Sequence, residues 1–224
     1  MISNKDIPIV TLDGPGGSGK GTIGARLAKT LGWHFLDSGA IYRVLALDVL
    51  KRGIDLQDEQ AIETLALNLN VQFNDNIMLD GVNVTKEIRS ETCGNTASKI
   101  AAFPKVREAL IERLRAFCRL PGLVADGRDM GTVIFPFAKL KIFLDASAEE
   151  RARRRFLQLK EMVHNVNLQT LLQEIEERDA RDKQRAAAPL KPAKDAVVID
   201  TTGMGIDAVF DQVMVEVNQR FFSV

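Results

Sequence analysis

The stretch that decides the fold is Ile7-Pro8-Ile9-Val10-Thr11-Leu12-Asp13 followed by Gly14-Pro15-Gly16-Gly17-Ser18-Gly19-Lys20-Gly21-Thr22. A short β-branched run, a glycine-rich turn and then a helical pattern place a strand, a loop and a helix in immediate succession. The helix reads from Thr22 to Leu31, with Gly24, Leu27, Ala28 and Leu31 on one face at i, i+3, i+4 and i+7. The loop has phosphate-loop spacing as far as Lys20, with Gly21 inserted before the hydroxyl residue. Glycines let backbone N–H groups turn inward as an anion nest at a helix N-terminus, while a lysine reaches the β- and γ-phosphates. Gly14, Pro15, Gly16, Gly17, Ser18, Gly19, Lys20, Gly21 and Thr22 are therefore the expected ATP site, with Thr22 on a magnesium ion. The plainer alternative, a glycine turn that binds nothing, fits poorly between a strand and a helix.

Working outward, similar runs recur at His34-Phe35-Leu36, Leu123-Val124-Ala125, Lys141-Ile142-Phe143-Leu144 and Ala196-Val197-Val198-Ile199. Strands alternating with helical patterns predict an α/β fold with a parallel sheet flanked by helices. Each run is followed by an aspartate, at Asp13, Asp37, Asp126, Asp145 and Asp200. Parallel sheets of this kind hold their ligands at the carboxyl ends of the strands.

Two segments interrupt the alternation. Val71-Gln72-Phe73, Ile77-Met78-Leu79 and Val82-Asn83-Val84, separated by Asn74-Asp75-Asn76 and Asp80-Gly81, predict a small antiparallel meander. A helix follows from Pro104, with Val106, Leu110, Leu114 and Phe117 as its buried stripe, ending near Pro121. The second interruption is a charged helical pair over 147–188, opened by the capping box Ser147-Ala148-Glu149-Glu150 and hinged around His164-Asn165-Val166-Asn167. In its second helix Leu168, Leu171, Leu172 and Ile175 form an inward stripe, and the same face continues through Arg178, Asp182 and Arg185. Arginines on an inward face call for an anion. Surface pairs among Arg178, Arg181, Asp182 and Arg185 remain the alternative.

Asp126-Gly127-Arg128-Asp129-Met130-Gly131 sets a carboxylate, a cation and permissive glycines at a strand end. Asp126 can hold magnesium through water and Arg128 can hold a phosphate. A polar turn with a capping aspartate is the competing reading.

Thirty basic residues balance thirty acidic ones, so no global positive field exists to hold a nucleic acid or an anionic membrane. With 46% hydrophobic and 27% charged residues, 224 residues suit one globular domain. Cys93 and Cys118 are too few for a disulfide framework and lack zinc spacing. The start Met1-Ile2-Ser3-Asn4-Lys5-Asp6 has no apolar signal segment, and no uncharged stretch is long enough to span a bilayer. A cytoplasmic, monomeric protein acting on small molecules is expected.

At these residues the chain resembles the bacterial cytidylate kinases, members of the nucleoside monophosphate kinases. The resemblance runs nearly end to end through the phosphate loop, Leu36-Asp37-Ser38-Gly39-Ala40-Ile41-Tyr42-Arg43, Phe103-Pro104-Lys105-Val106-Arg107-Glu108, Asp126 to Thr132, and Glu177-Arg178-Asp179-Ala180-Arg181-Asp182. It implies a five-stranded parallel core, a small antiparallel insert in the monophosphate-binding region and a mobile helical lid. The corresponding ranges are 1–37, 104–146 and 189–224 for the core, 38–103 for the monophosphate region and 147–188 for the lid. It further implies that Ser98, Arg107 and Asp129 meet the cytosine, and that Ser38, Tyr42, Arg43 and Arg128 meet the monophosphate. Arg178 and Asp182 would stand on the lid side of the CMP pocket, with Lys20, Arg128, Arg178, Arg185 and magnesium neutralising the transferring phosphoryl group. A kinase for another small acceptor, such as AMP, dephospho-coenzyme A or shikimate, or a nucleotide-dependent switch, stays open at this point.

Overall fold

The structure, a computed structural model, describes residues 6–73, 76–160 and 166–223. In chain order its elements are β1 (Ile9–Asp13), α1 (Lys20–Leu31), β2 (His34–Asp37), α2 (Ser38–Arg52), α3 (Glu59–Leu67), β3 (Val71–Phe73), β4 (Ile77–Leu79) and β5 (Val82–Asn83). There follow α4 (Glu91–Ile100), α5 (Pro104–Arg115), β6 (Leu123–Asp126), β7 (Leu140–Asp145), α6 (Ala148–Lys160), α7 (Leu168–Gln184), β8 (Val197–Asp200) and α8 (Ile206–Val217). The chain divides into two compact units, one of 1–36, 115–184 and 188–224, the other of 37–114 and 185–187.

The first unit is built on a five-stranded sheet of order β2-β6-β1-β7-β8. β1 runs parallel to β6 and to β7, and β7 runs parallel to β8. Every residue of β1 is buried, as a central strand covered on both faces requires. Val10, Leu12, Val124, Ile142 and Leu144 of the sheet pack with Ile23, Leu27 and Ala28 of α1 and with Val209, Phe210, Val213 and Val217 of α8. The crossover from β1 goes to β2 on one side, and that from β6 passes to β7 on the other. The loop after β1 thus leaves the sheet where the strand order reverses, the position at which such sheets open a ligand crevice.

In the second unit α2 is buried along nearly its whole length from Ser38 to Val49 and packs against α4. β3, β4 and β5 form the antiparallel meander, with Gln72 opposite Met78 and Leu79 opposite Val82. The Asp80-Gly81 turn is made with both residues at positive φ, 48° and 80°. Of the other expected turn, Asn74 and Asp75 lie outside the described residues, as do His164 and Asn165 of the expected hinge.

Three local expectations are corrected. α5 stops at Arg115 and not near Pro121, because Cys118 N–H closes a turn on Arg115 O at 2.9 Å, and Phe117 is left half-buried beyond the helix. The box at Ser147 is only half made. Ser147 Oγ accepts Glu150 N–H at 3.2 Å, but the Glu150 carboxylate takes Arg153 and Arg154 instead of reaching back. Guanidinium donors outcompete a neutral amide for a carboxylate. In α7 Leu171 is buried as expected, whereas Leu168, in the first turn, is 45% exposed.

Candidate active site

The geometry of the first unit begins with Gly14, whose φ of +143° and whose distance to β7 exclude any side chain: a Cβ there would lie 2.0 Å from Leu144 O. The loop then closes on itself. Ser18 Oγ donates to Pro15 O at 3.1 Å and Lys20 Nζ to Pro15 O at 2.6 Å, with Ser18 Oγ 3.3 Å from the same ammonium. Gly19 caps α1 at a φ of 93°, and its carbonyl accepts Ile23 N–H, so the helix starts at Lys20 with its N-terminus toward the loop.

Cations gather on the other side of this loop. A Cβ built on Gly16 would lie 3.4 Å from Arg128 Nη2 and 3.6 Å from Arg178 Nη1. Arg128 Nε donates to Asp182 Oδ2 at 3.0 Å. Burial works against the Arg128 charge, yet Asp182, Asp126 and Asp179 outweigh it and strengthen the guanidinium's hold on its proton. Lys20 has the opposite balance. Burial and the repulsion of Arg128 and Arg178 exceed the attraction of Asp126 and Asp13, and its ammonium is pulled down from 10.5 to about 7. Lys20 thus sits buried beside cations that work against its charge, and a bound anion would relieve that repulsion.

Asp13, at the end of β1, accepts Met130 N–H and Gly131 N–H, each at 2.8 Å, and so clamps the turn after β6. Burial pushes its carboxyl up to about 6 despite those bonds. The Asp126 carboxylate faces the first turn of α1: a Cβ on Gly21 would be 3.5 Å from Asp126 Oδ2, and Thr22 is the next, exposed, residue. Asp129 is buried in the turn after β6. Lys20, Arg128, Arg178, Asp126, Asp129 and Asp182 all belong to this unit with the loop.

Ser38, Tyr42, Arg43, Ser98 and Arg107 belong to the second unit. Asp37 Oδ1 accepts Ala40 N–H and starts α2, setting Ser38 in its first turn and Tyr42 and Arg43 in the next. Arg43 Nη1 donates to Ile88 O at 2.7 Å and to Ser90 O at 3.1 Å. Arg107 is buried, donates to Ala101 O, and lies 5.8 Å from the Tyr42 ring centroid, within cation–π reach. Ser98 is buried on α4. Arg185, expected on the α7 face, sits just past the end of that helix and groups with the second unit.

Sequence reasoning gave no role to Arg151, Asp179 or Thr201. Thr201 Oγ1 donates to Asp145 O at 2.9 Å and lies 3.4 Å from Ser18 O, behind the phosphate loop. Arg151 and Asp179 pair beside Gly16. Nothing in the charged runs that contain them marks them out.

Fold and loop together define an α/β P-loop protein with a polyphosphate-binding centre. The cytidylate kinase family model matches residues 10–219. A cytidylate kinase of Proteus mirabilis is 58% identical over 211 residues, covering 92% of this chain and 94% of the relative. Those of Stutzerimonas stutzeri and Shewanella amazonensis are 56% and 57% identical, covering 96% and 95% of this chain and 97% and 95% of theirs. The chain belongs to the cytidylate kinase family. A solved shikimate kinase from Acinetobacter baumannii, in complex with shikimate, aligns over 98% of this chain and 97% of that one with a TM-score of 0.45 and 18% identity. Among the described residues no helix is long and apolar enough to cross a membrane.

Proposed function

We propose that the protein transfers the γ-phosphoryl group of ATP to CMP or dCMP, giving ADP and CDP or dCDP. The observation that carries this reading, beside family membership, is the meeting of Lys20, Arg128 and Arg178 around the Gly16 turn of the phosphate loop. The acceptor is itself a phosphate whose second ionisation is near pH 6, so its oxygen is already a nucleophile at neutral pH and no general base is needed. What remains for the protein is to bring two polyanions into line and to spread the developing charge.

In this reading the loop from Gly14 to Thr22 holds the ATP phosphates, and Lys20, Arg128, Arg178 and Arg185 neutralise the transferring group. Ser38, Tyr42, Arg43 and Arg128 receive the monophosphate, Ser98, Arg107 and Asp129 the base, and Arg178 and Asp182 the lid side of CMP. Magnesium fits Thr22 and Asp126, because the carboxylate faces the α1 turn that bears the hydroxyl. Thr22 and Asp126 would hold the ion, with water and the ATP phosphates completing its shell, and it would supply further charge neutralisation. The 147–188 segment is read as a lid whose closure excludes water, and the protein as a cytoplasmic monomer.

The deciding experiment is ADP formation with CMP, dCMP, UMP, AMP and GMP as acceptors in turn. CMP and dCMP are expected to give the highest kcat/KM. Preference for AMP or GMP, or no acceptor-stimulated ADP, overturns the assignment.

A further inference from the structure

Arg151 stands in the first turn of α6 within a run of charged residues, yet its side chain is only 4% exposed. Its guanidinium joins three stretches of chain. Nε donates to Ala146 O at 2.9 Å, Nη1 to Gly16 O at 3.2 Å and to Asp179 Oδ1 at 3.0 Å, and Nη2 to Asp179 Oδ2 at 2.5 Å. The pair with Asp179 is bidentate, so it fixes orientation as well as distance.

Both ends of this bridge matter to the phosphate site. In a trans peptide the carbonyl and the following N–H point in opposite directions. Holding Gly16 O on Arg151 therefore turns Gly17 N–H away from the arginine. α6 abuts the loop here, since a Cβ on Gly17 would lie 3.2 Å from Arg151 Cβ. At the other end, Asp179 directly follows Arg178, whose Nη1 would be 3.6 Å from a Gly16 Cβ. The helical turn that presents Arg178 to the loop is the turn that Arg151 grips. Lysine, a point charge without the fork, could not reproduce the bidentate pair with Asp179 and reach the other two acceptors as well.

We propose that Arg151 is a positioning residue for phosphoryl transfer: through Asp179 it registers Arg178 on the phosphate loop, and through Gly16 O it fixes a loop peptide. This rests on reading the loop and arginines as phosphoryl-transfer machinery.

The test is a double-mutant cycle of Arg151→Lys with Arg178→Lys, read as kcat and KM at saturating MgATP. Arg151→Lys is expected to lower kcat about 10- to 100-fold, the scale of a misplaced reacting group, with the KM for CMP changing less than about threefold. In the double variant the two losses are expected not to multiply, because Arg151 acts through Arg178. Multiplying losses, or wild-type kcat in Arg151→Lys, overturn the proposal. Should Arg151→Lys fail to fold, Asp179→Asn takes its place in the same cycle. If the wild-type protein does not phosphorylate CMP, the acceptor assignment fails by itself, and the cycle is read as MgATP affinity with the same criterion.

Discussion

Asp182 Oδ2 accepts the Nε–H of Arg128 at 3.0 Å, so a carboxylate from α7 holds the arginine that stands at the end of β6. With 6% and 18% of their side chains exposed, the two form a buried pair. One nitrogen is used by Asp182 and one by Gly127 O, and Nη2 lies on the Gly16 side of the loop.

Removing one member of a buried pair leaves a desolvated charge. Asp182→Ala is therefore expected to cost about 3 kcal/mol of stability and to lower kcat/KM for CMP by at least about tenfold through a misaligned Arg128. Urea unfolding and steady-state kinetics check the two effects; a variant unchanged in both would place Arg128 outside the site.

The Lys20 ammonium is pulled down from 10.5 to about 7, mainly by burial, so it is expected to be largely neutral in the ligand-free protein at pH 8. Triphosphate binding is expected to restore its charge. Calorimetry of ATP binding at pH 8, in buffers of different ionisation heat, is expected to show uptake of close to one proton, absent in Lys20→Ala and much smaller at pH 6. The sign for stability follows from the same shift. Between about pH 7 and 10.5 the unfolded chain binds a proton that the native state does not, so this group makes stability rise with pH. Lys20→Met should then raise the Tm of the ligand-free protein at pH 6, with the gain fading toward pH 10. A buffer-independent binding enthalpy would remove Lys20 from the phosphates.

Gly14→Ala tests the loop's geometry. At a φ of +143° and with Leu144 O only 2.0 Å from the new methyl, the loop or β7 must move. The expected cost exceeds about 4 kcal/mol, the range of strain combined with a backbone clash, and ATP affinity should fall with it. Thermal unfolding within a few degrees of wild type would show that the chain leaves β1 differently.

The proposed base choice turns on Asp129, buried at the turn after β6. Cytosine presents an amino donor where uracil presents a carbonyl acceptor, so a carboxylate in that place favours CMP over UMP. A site built to bond a group discriminates strongly when the group is absent. Asp129→Ala is expected to narrow the CMP to UMP ratio of kcat/KM, mainly by loss of CMP activity. An unchanged ratio would remove Asp129 from base recognition.

The five strands of the parallel sheet, the phosphate loop and the antiparallel meander were legible in the amino acids alone. Periodicity, glycine spacing and turn chemistry are local properties, legible over a few residues: β1 to α1 follows from Ile7 to Leu31 alone, and β3 to β5 from three alternating runs around Asp80-Gly81. Which of the charged side chains are buried was left to the tertiary fold. Glu150 to Arg155 lies in the charged helical pair with nothing to tell its arginines apart, yet Arg151 is 4% exposed while Arg153 is 58% exposed. The difference lies in what packs against the helix, Gly16 from the loop and Asp179 from α7, far apart in the chain. In the same way Asp13 reads as any strand-end aspartate until the fold sets Met130 and Gly131 N–H against it, 117 and 118 residues along the chain. Burial of a charge is a property of three-dimensional neighbours, and no spacing within one segment encodes it.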